Sequence, residues 1–254
     1  MQALQWLGRK LARYLSEPRE NTHVTTSRPG QLAATLRKGD VLLVEGTSRF
    51  ASAIRTITQS TWSHSALCIG DALAETHGPD TMLVEADINE GVRVIPLARY
   101  EALHTRICRP VGLDGRAIDA LVAHALARIG QQYDLRNVFD LARYLLHPPP
   151  VPQRLRRRLF AFGGGAPTRA ICSSLIADAF AAIDYPVLPD IEVVRRAGPD
   201  GEQQATEIMH IRHSRMYAPR DFDLSPYFRV VKPTIEQGFD PRTLAWAPAP
   251  DTAP

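Results

Sequence analysis

Along this 254-residue chain the apolar positions follow first a strand-like and then a helix-like pattern. Val41-Leu42-Leu43-Val44 is an unbroken apolar run opened by Gly39-Asp40 and reads as a buried strand. Ser63 to Ile69 reads as a strand with His64, Ala66 and Cys68 on one face and Ser65, Leu67 and Ile69 on the other. Further strands are predicted over Met82 to Ala86, Val92 to Pro96 and Thr105 to Arg109, with Asn89-Glu90-Gly91 as a turn between two of them. Phe50 to Ile57 reads as a short helix. Ile118, Leu121, Val122, Ala125, Leu126 and Ile129 then share one face of a helix that Gly130 can end. A second helix is expected over Arg136 to Leu146. His147-Pro148-Pro149-Pro150 stops it, because proline lacks the backbone donor and fixes its own φ. A third runs from Cys172 to Ala182. The remainder alternates short elements, and no internal repeat is present.

The flanking segments divide the chain. Leu4, Leu7, Leu11, Tyr14 and Leu15 fall on one helical face beside Arg9, Lys10 and Arg13. Such a basic amphipathic helix either docks on a domain or partner chain, or lies on an anionic membrane surface. It has no continuous apolar core of a secretory signal, and no apolar run approaches the roughly 18 residues of a spanning helix. Glu17 to Gly30 is polar and reads as a linker. The expected organisation is an N-terminal helix and linker (1–30), a main domain (31–235) and a tail (236–254) whose last residues, from Ala247, are expected to be disordered. Within the domain, 141–170 is a basic Pro/Gly-rich region holding Arg143, Arg154, Arg156, Arg157, Arg158 and Arg169. The run Arg154–Arg158 suits phosphate, a lipid headgroup or an acidic partner, or is simply a solvated face.

Composition narrows the classes. Thirty basic against 27 acidic residues leave a net charge of +3, too balanced to indicate nucleic acid, and none is expected as a partner. Cys68, Cys108 and Cys172 form an odd, scattered set. That is a poor disulfide framework and suggests a reducing compartment, so a cytoplasmic location, free or peripheral to the membrane, is expected.

The candidate chemistry lies in Ser63-His64, Glu85 and Cys172-Ser173. A thiol becomes a good nucleophile when a nearby histidine and a helix N-terminus lower its pKa. Cys172 opens a predicted helix, whose free N–H groups suit an oxyanion. His64 can move the proton, and Glu85 can fix the imidazole tautomer. The residues alone leave alternatives open. Cys172 can be a small buried hydrophobe, His64 a core or surface histidine, and Glu85 an ordinary strand carboxylate.

The ordered set resembles the permuted NlpC-type papain-like cysteine hydrolases of the YiiX/YebB-like group: Gly39-Asp40-Val41-Leu42-Leu43, then Ser63-His64, Glu85-Ala86 and Cys172-Ser173. Gly130-Gln131-Gln132-Tyr133-Asp134 and the segment from Tyr217 to Phe228 are similar to further parts of it. The resemblance implies an α+β fold, a small bent antiparallel sheet or partial barrel packed on helices. It also implies Cys172 as nucleophile, His64 as base and Glu85 as its orienting partner. The implied substrate is a peptide (cell-wall type included) or lipid-linked amide, with no metal or organic cofactor. Two rivals share the scaffold: a lecithin:retinol acyltransferase-like enzyme using the same Cys/His pair, and a catalytically dead binding module. Candidate substrate-binding residues are Tyr133, Asp134, Ser63 and Ser173. Tyr133 and Asp134 can equally cap a helix, and Ser173 with Ser174 can satisfy helix N–H groups. His210 and His213, near Glu207, make a two-ligand zinc pair that is weak without a third ligand and reads better as a polar surface.

Overall fold

The computed structural model describes residues 27–78, 82–87, 90–132, 171–197 and 203–246. The N-terminal amphipathic helix, most of the linker, Asn89, Tyr133, Asp134, the helix expected over 136–146, the basic region with Arg154–Arg158 and the segment from Ala247 lie outside the described residues.

The apolar run Val41–Val44 forms β1, and its four side chains are almost wholly buried. The run is continuous because the sheet is covered on both faces. Val41 and Leu43 join one core cluster, while Leu42 and Val44 join the other. β1 is central and pairs antiparallel with β2 (His64–Gly70) on one side and β5 (Thr105–Pro110) on the other. With β3 (Met82–Asp87), β4 (Gly91–Pro96) and β8 (Phe228–Val231) the order is β4-β3-β2-β1-β5-β8, antiparallel throughout. This α+β arrangement agrees with the expected fold, with one refinement. The sheet ends at β4 and β8 and does not close into a barrel.

Among the described residues the α-helices are α1 (Gln31–Thr35), α2 (Arg49–Thr58), α3 (Ala74–His77), α4 (Gly115–Leu126), α5 (Ile171–Ala181), α6 (Pro219–Leu224) and α7 (Pro233–Glu236). One face of the sheet carries Leu67, Ile69, Val84 and Ala86 against Leu121 and Val122 of α4 and Leu175, Ile176 and Phe180 of α5. The other face carries Ala66, Cys68 and Leu83 against Leu32, Leu36 and Leu97, with Tyr100 and Leu103 at its margin. Phe228 meets both Phe180 and Phe222 edge-on, and Phe222 lies tilted against Phe180. Removing such a buried ring costs roughly 3–5 kcal/mol.

The Gly39-Asp40 pair has a mechanical role. Gly39 adopts φ +88 and lies so close to Ile118 that an added Cβ would sit 3.2 Å from it. Asp40, 1% exposed, takes a bidentate pair from Arg109 of β5 (2.8 and 2.7 Å) and the Arg37 N–H at 2.8 Å. This ties the entry of β1 to its neighbour strand.

A second, two-stranded ribbon, β6 (Asp190–Ala197) with β7 (Gln203–His210), stands apart from the main sheet. The sequence reading does not single it out. Ile191, Val193 and Met209 are each about half exposed, so the apolar alternation that marks a half-buried strand does not correspond to a core here. No helix among the described residues is long and apolar enough to cross a membrane.

Candidate active site

His64 is the first residue of β2, so it sits at the rim of the sheet, where side chains from both faces can meet. Glu85 lies on the neighbouring strand β3, on the same face as His64 by strand alternation. His64 Nε2 is 2.7 Å from Glu85 Oε2. Glu85 is 1% exposed, yet its carboxylate is well satisfied. It also accepts Arg93 Nε at 2.9 Å from the directly opposed position of β4, and the Tyr100 hydroxyl. Burial alone would raise this carboxyl, but His64, Tyr100 and Arg93 outweigh it and hold it down at about 2. Arg93 is bound in turn by Glu90 (2.6 Å) and Asp87 (3.4 Å).

Cys172 is the second residue of α5 and is almost wholly buried. It faces His64 within hydrogen-bonding reach. With Nε2 held by Glu85, Nδ1 is the nitrogen left for the thiol proton. Burial opposes ionisation of Cys172. The His64 charge, the His64 hydrogen bond and those from the Ser65 hydroxyl and backbone overcome it, and the thiol is held below its ordinary range. Burial would likewise depress His64, but Cys172 and Glu85 push it up to about 10. Such mutual stabilisation favours the thiolate–imidazolium pair over the neutral thiol and imidazole. Cys68 and Cys108 behave in the opposite way. Both lie in the core, where burial pushes the Cys68 thiol up to about 12 and Cys108 higher still. Of the three thiols only Cys172 is activated by its surroundings.

The sequence reading misses three residues of this arrangement: Arg93, Tyr100 and Ser65. Ser65 is fully buried, and its hydroxyl has no ordinary hydrogen-bond partner until Cys172 ionises and offers an acceptor. A signal for Arg93 is present, because the turn expected at Asn89-Glu90-Gly91 joins two strands whose pairing sets Glu85 opposite Arg93. Tyr100 arrives on the turn after β4 and leaves no local sign.

The candidate substrate-binding serines sit at the site but are held by backbone groups. Ser63 is buried, and its hydroxyl accepts the Gly46 N–H at 2.8 Å. Ser173 is buried and donates to the Tyr217 carbonyl at 2.6 Å, which fastens the start of α5 to the C-terminal segment. That segment is itself anchored, since Asp223 of α6 accepts Arg106 and Trp62 Nε1. Ser174 Oγ has no partner among the described residues. His210 Nε2 meets Glu192 at 2.9 Å across the ribbon, and among the described residues no three His, Cys, Asp or Glu side chains gather as a metal site requires.

A cleft of about 230 Å³ opens on His64, Glu85 and Cys172. The loop Gly46-Thr47-Ser48, Phe50 and Ile54 of α2, and the turn carrying Arg99, Tyr100 and Leu103 form its walls.

Residues 35–144 match the family described as permuted papain-like amidase enzyme, YaeF/YiiX, C92 family. Over that stretch the chain is similar to permuted papain-like amidases. The matched stretch holds His64 and Glu85, and Cys172 lies beyond it. Among solved structures the chain is similar to metalloprotein yiiX (DUF1105) from Escherichia coli O157:H7. The identity is 16% and the TM-score 0.45, covering 78% of this chain and 97% of that one. No curated protein matches.

Proposed function

We propose that this protein is a cysteine amidase in which Cys172 attacks the carbonyl carbon of an amide and passes its acyl group to water. The observation that carries the reading is the unbroken contact from Cys172 through His64 to the buried, ionised Glu85. The thiolate adds to the carbonyl and the C–N bond breaks. The His64 imidazolium gives its proton to the departing amine, leaving a thioester on Cys172. Water then attacks the thioester as neutral His64 accepts its proton, and the carboxylic acid and the thiolate–imidazolium pair are released. Glu85 keeps the imidazole in one orientation and stabilises its cationic form without taking the proton. The N–H groups at the start of a helix are the kind of donor that suits the oxyanion.

The test is intact-mass analysis after mixing with a panel of short N-acyl amides, including peptides and lipid-linked amides, quenched in acid. A mass gain equal to the acyl group on the Cys172 peptide, absent in Cys172→Ala, supports the reading. Addition of an amine acceptor separates hydrolysis from acyl transfer, because a transferase yields the new amide in place of the free acid. A chain that never acylates while Cys172 remains reactive to small alkylating agents argues for a binding module.

A further inference from the structure

Two arginines line the cleft, and they differ in one respect. Arg93 is bound on every side by Glu85, Asp87 and Glu90. Arg99, at the end of the turn Leu97–Arg99, is exposed and forms no ion pair or hydrogen bond with any described residue. The carboxylates that line the cleft, Glu85 and Asp87, are already held by Arg93. Arg99 therefore brings an uncompensated guanidinium to the cleft that holds the reacting groups, and such a fork can receive a carboxylate or a phosphate in two parallel bonds. Phe50, Ile54 and Leu103 line the same cleft. This wall is apolar and offers an acyl chain or side chain a dry surface.

We infer that Arg99 sets the substrate class of this site: an amide that carries an anionic group, carboxylate or phosphate, together with a compact apolar portion. The inference rests on the amidase reading, since it takes Cys172 as the reacting centre. The anion docks on Arg99, the apolar part lies against Phe50 and Ile54, and the scissile carbonyl is thereby brought to Cys172. Neutral amides of the same shape lose the first of these contacts and are turned over with a higher KM.

Two alkylating agents of nearly equal size test this whatever the substrate. Iodoacetate is anionic and iodoacetamide neutral, and both label a thiolate. The ratio of their rates at Cys172 reports the field at the site. In Arg99→Ala the ratio is expected to fall about fivefold at low salt, the scale of one exposed ion pair, and to fall further in Arg99→Glu. Arg99→Lys should restore part of it. In a second arm, N-hexanoylglycine, N-hexanoyl-O-phosphoethanolamine and neutral N-hexanoylglycinamide are compared as protectants against iodoacetamide. Protection by the first or the second that disappears in Arg99→Ala identifies the anion as carboxylate or phosphate. A ratio within twofold of wild type in both Arg99→Ala and Arg99→Glu, with Cys172 still labelling readily at neutral pH, overturns the inference and leaves the amidase reading standing. Failure of wild-type Cys172 to label with either reagent overturns both. Because Arg99 is exposed and makes no contact in the core, circular dichroism of the variants should match wild type.

Discussion

Glu85, buried under the sheet rim, holds His64 through a 2.7 Å contact at Nε2, so the imidazole presents its other nitrogen to Cys172. The relationship fixes both the orientation of the base and its charge. It also makes the chemistry of the site depend on a carboxylate that acts through His64.

The first consequence concerns pH. The thiolate–imidazolium form exists between the lowered pKa of Cys172 and the raised value of His64, about 10. Iodoacetamide labelling of Cys172 should therefore rise at a pH well below the roughly 8.5 of a free thiol. In His64→Ala that midpoint should move up to or beyond the free-thiol value. Site-resolved mass spectrometry of the labelled peptide reads both, and an unshifted midpoint in His64→Ala removes His64 from the mechanism.

Glu85→Gln keeps the shape of the side chain and removes its charge. Glu85 raises the pKa of His64, so its loss lowers that value, and the alkaline limb of the activity profile should move to lower pH. The turnover rate should fall by about 10²-fold, within the usual range for impaired acid–base catalysis. A uniform drop in rate with an unmoved alkaline limb would indicate a purely structural role.

The same carboxylate has a stability signature. Its folded-state pKa of about 2 lies below the unfolded value, so its contribution is complete above the ordinary carboxylate range and is lost as pH falls toward 2. His64 has the opposite sign. Its contribution is complete below its unfolded value of about 6.5 and is lost as pH rises through about 10. Urea midpoints should thus separate wild type from Glu85→Gln at pH 6 and converge as the solution is taken toward pH 2. A gap of constant size across that range would refute the linkage.

Ser65→Ala removes a buried hydroxyl that has no ordinary partner in the thiol form. The expected result is unchanged or slightly higher thermal stability, with the Cys172 labelling midpoint displaced upward, because the thiolate loses a donor. Asp40→Ala should behave in the reverse way. It breaks the buried pair with Arg109 and should cost roughly 3–5 kcal/mol of stability, while the Cys172 midpoint stays where it was. Denaturant titration and labelling of the two variants, taken together, separate scaffold from site.

The sequence reveals those parts of the fold in which burial and periodicity coincide. β1 and β2 are legible because their apolar positions meet real cores, and α5 because its first turn follows a proline- and glycine-containing stretch. Glu85 can be found as a candidate, but not the hold on it, since Tyr100 reaches it through the path of a later turn. The ribbon β6–β7 escapes the reading for the converse reason, as its apolar side chains are exposed. Arg99 escapes because an arginine on a turn looks the same in sequence whether it faces solvent or a cleft.

The opposed positions of Glu85 and Arg93 on β3 and β4 have one more effect. A slip of one residue between these strands would turn Glu85 from the Tyr100 side of the sheet to the side packed by α5, where Val84 and Ala86 now lie. A bare carboxylate would then sit among leucines and isoleucines, and His64 would lose its partner. The group that orients the base thus also proofreads the hairpin: a chain folded out of register is at once unstable and inert, so stable misfolded copies with partial activity are not an accessible outcome.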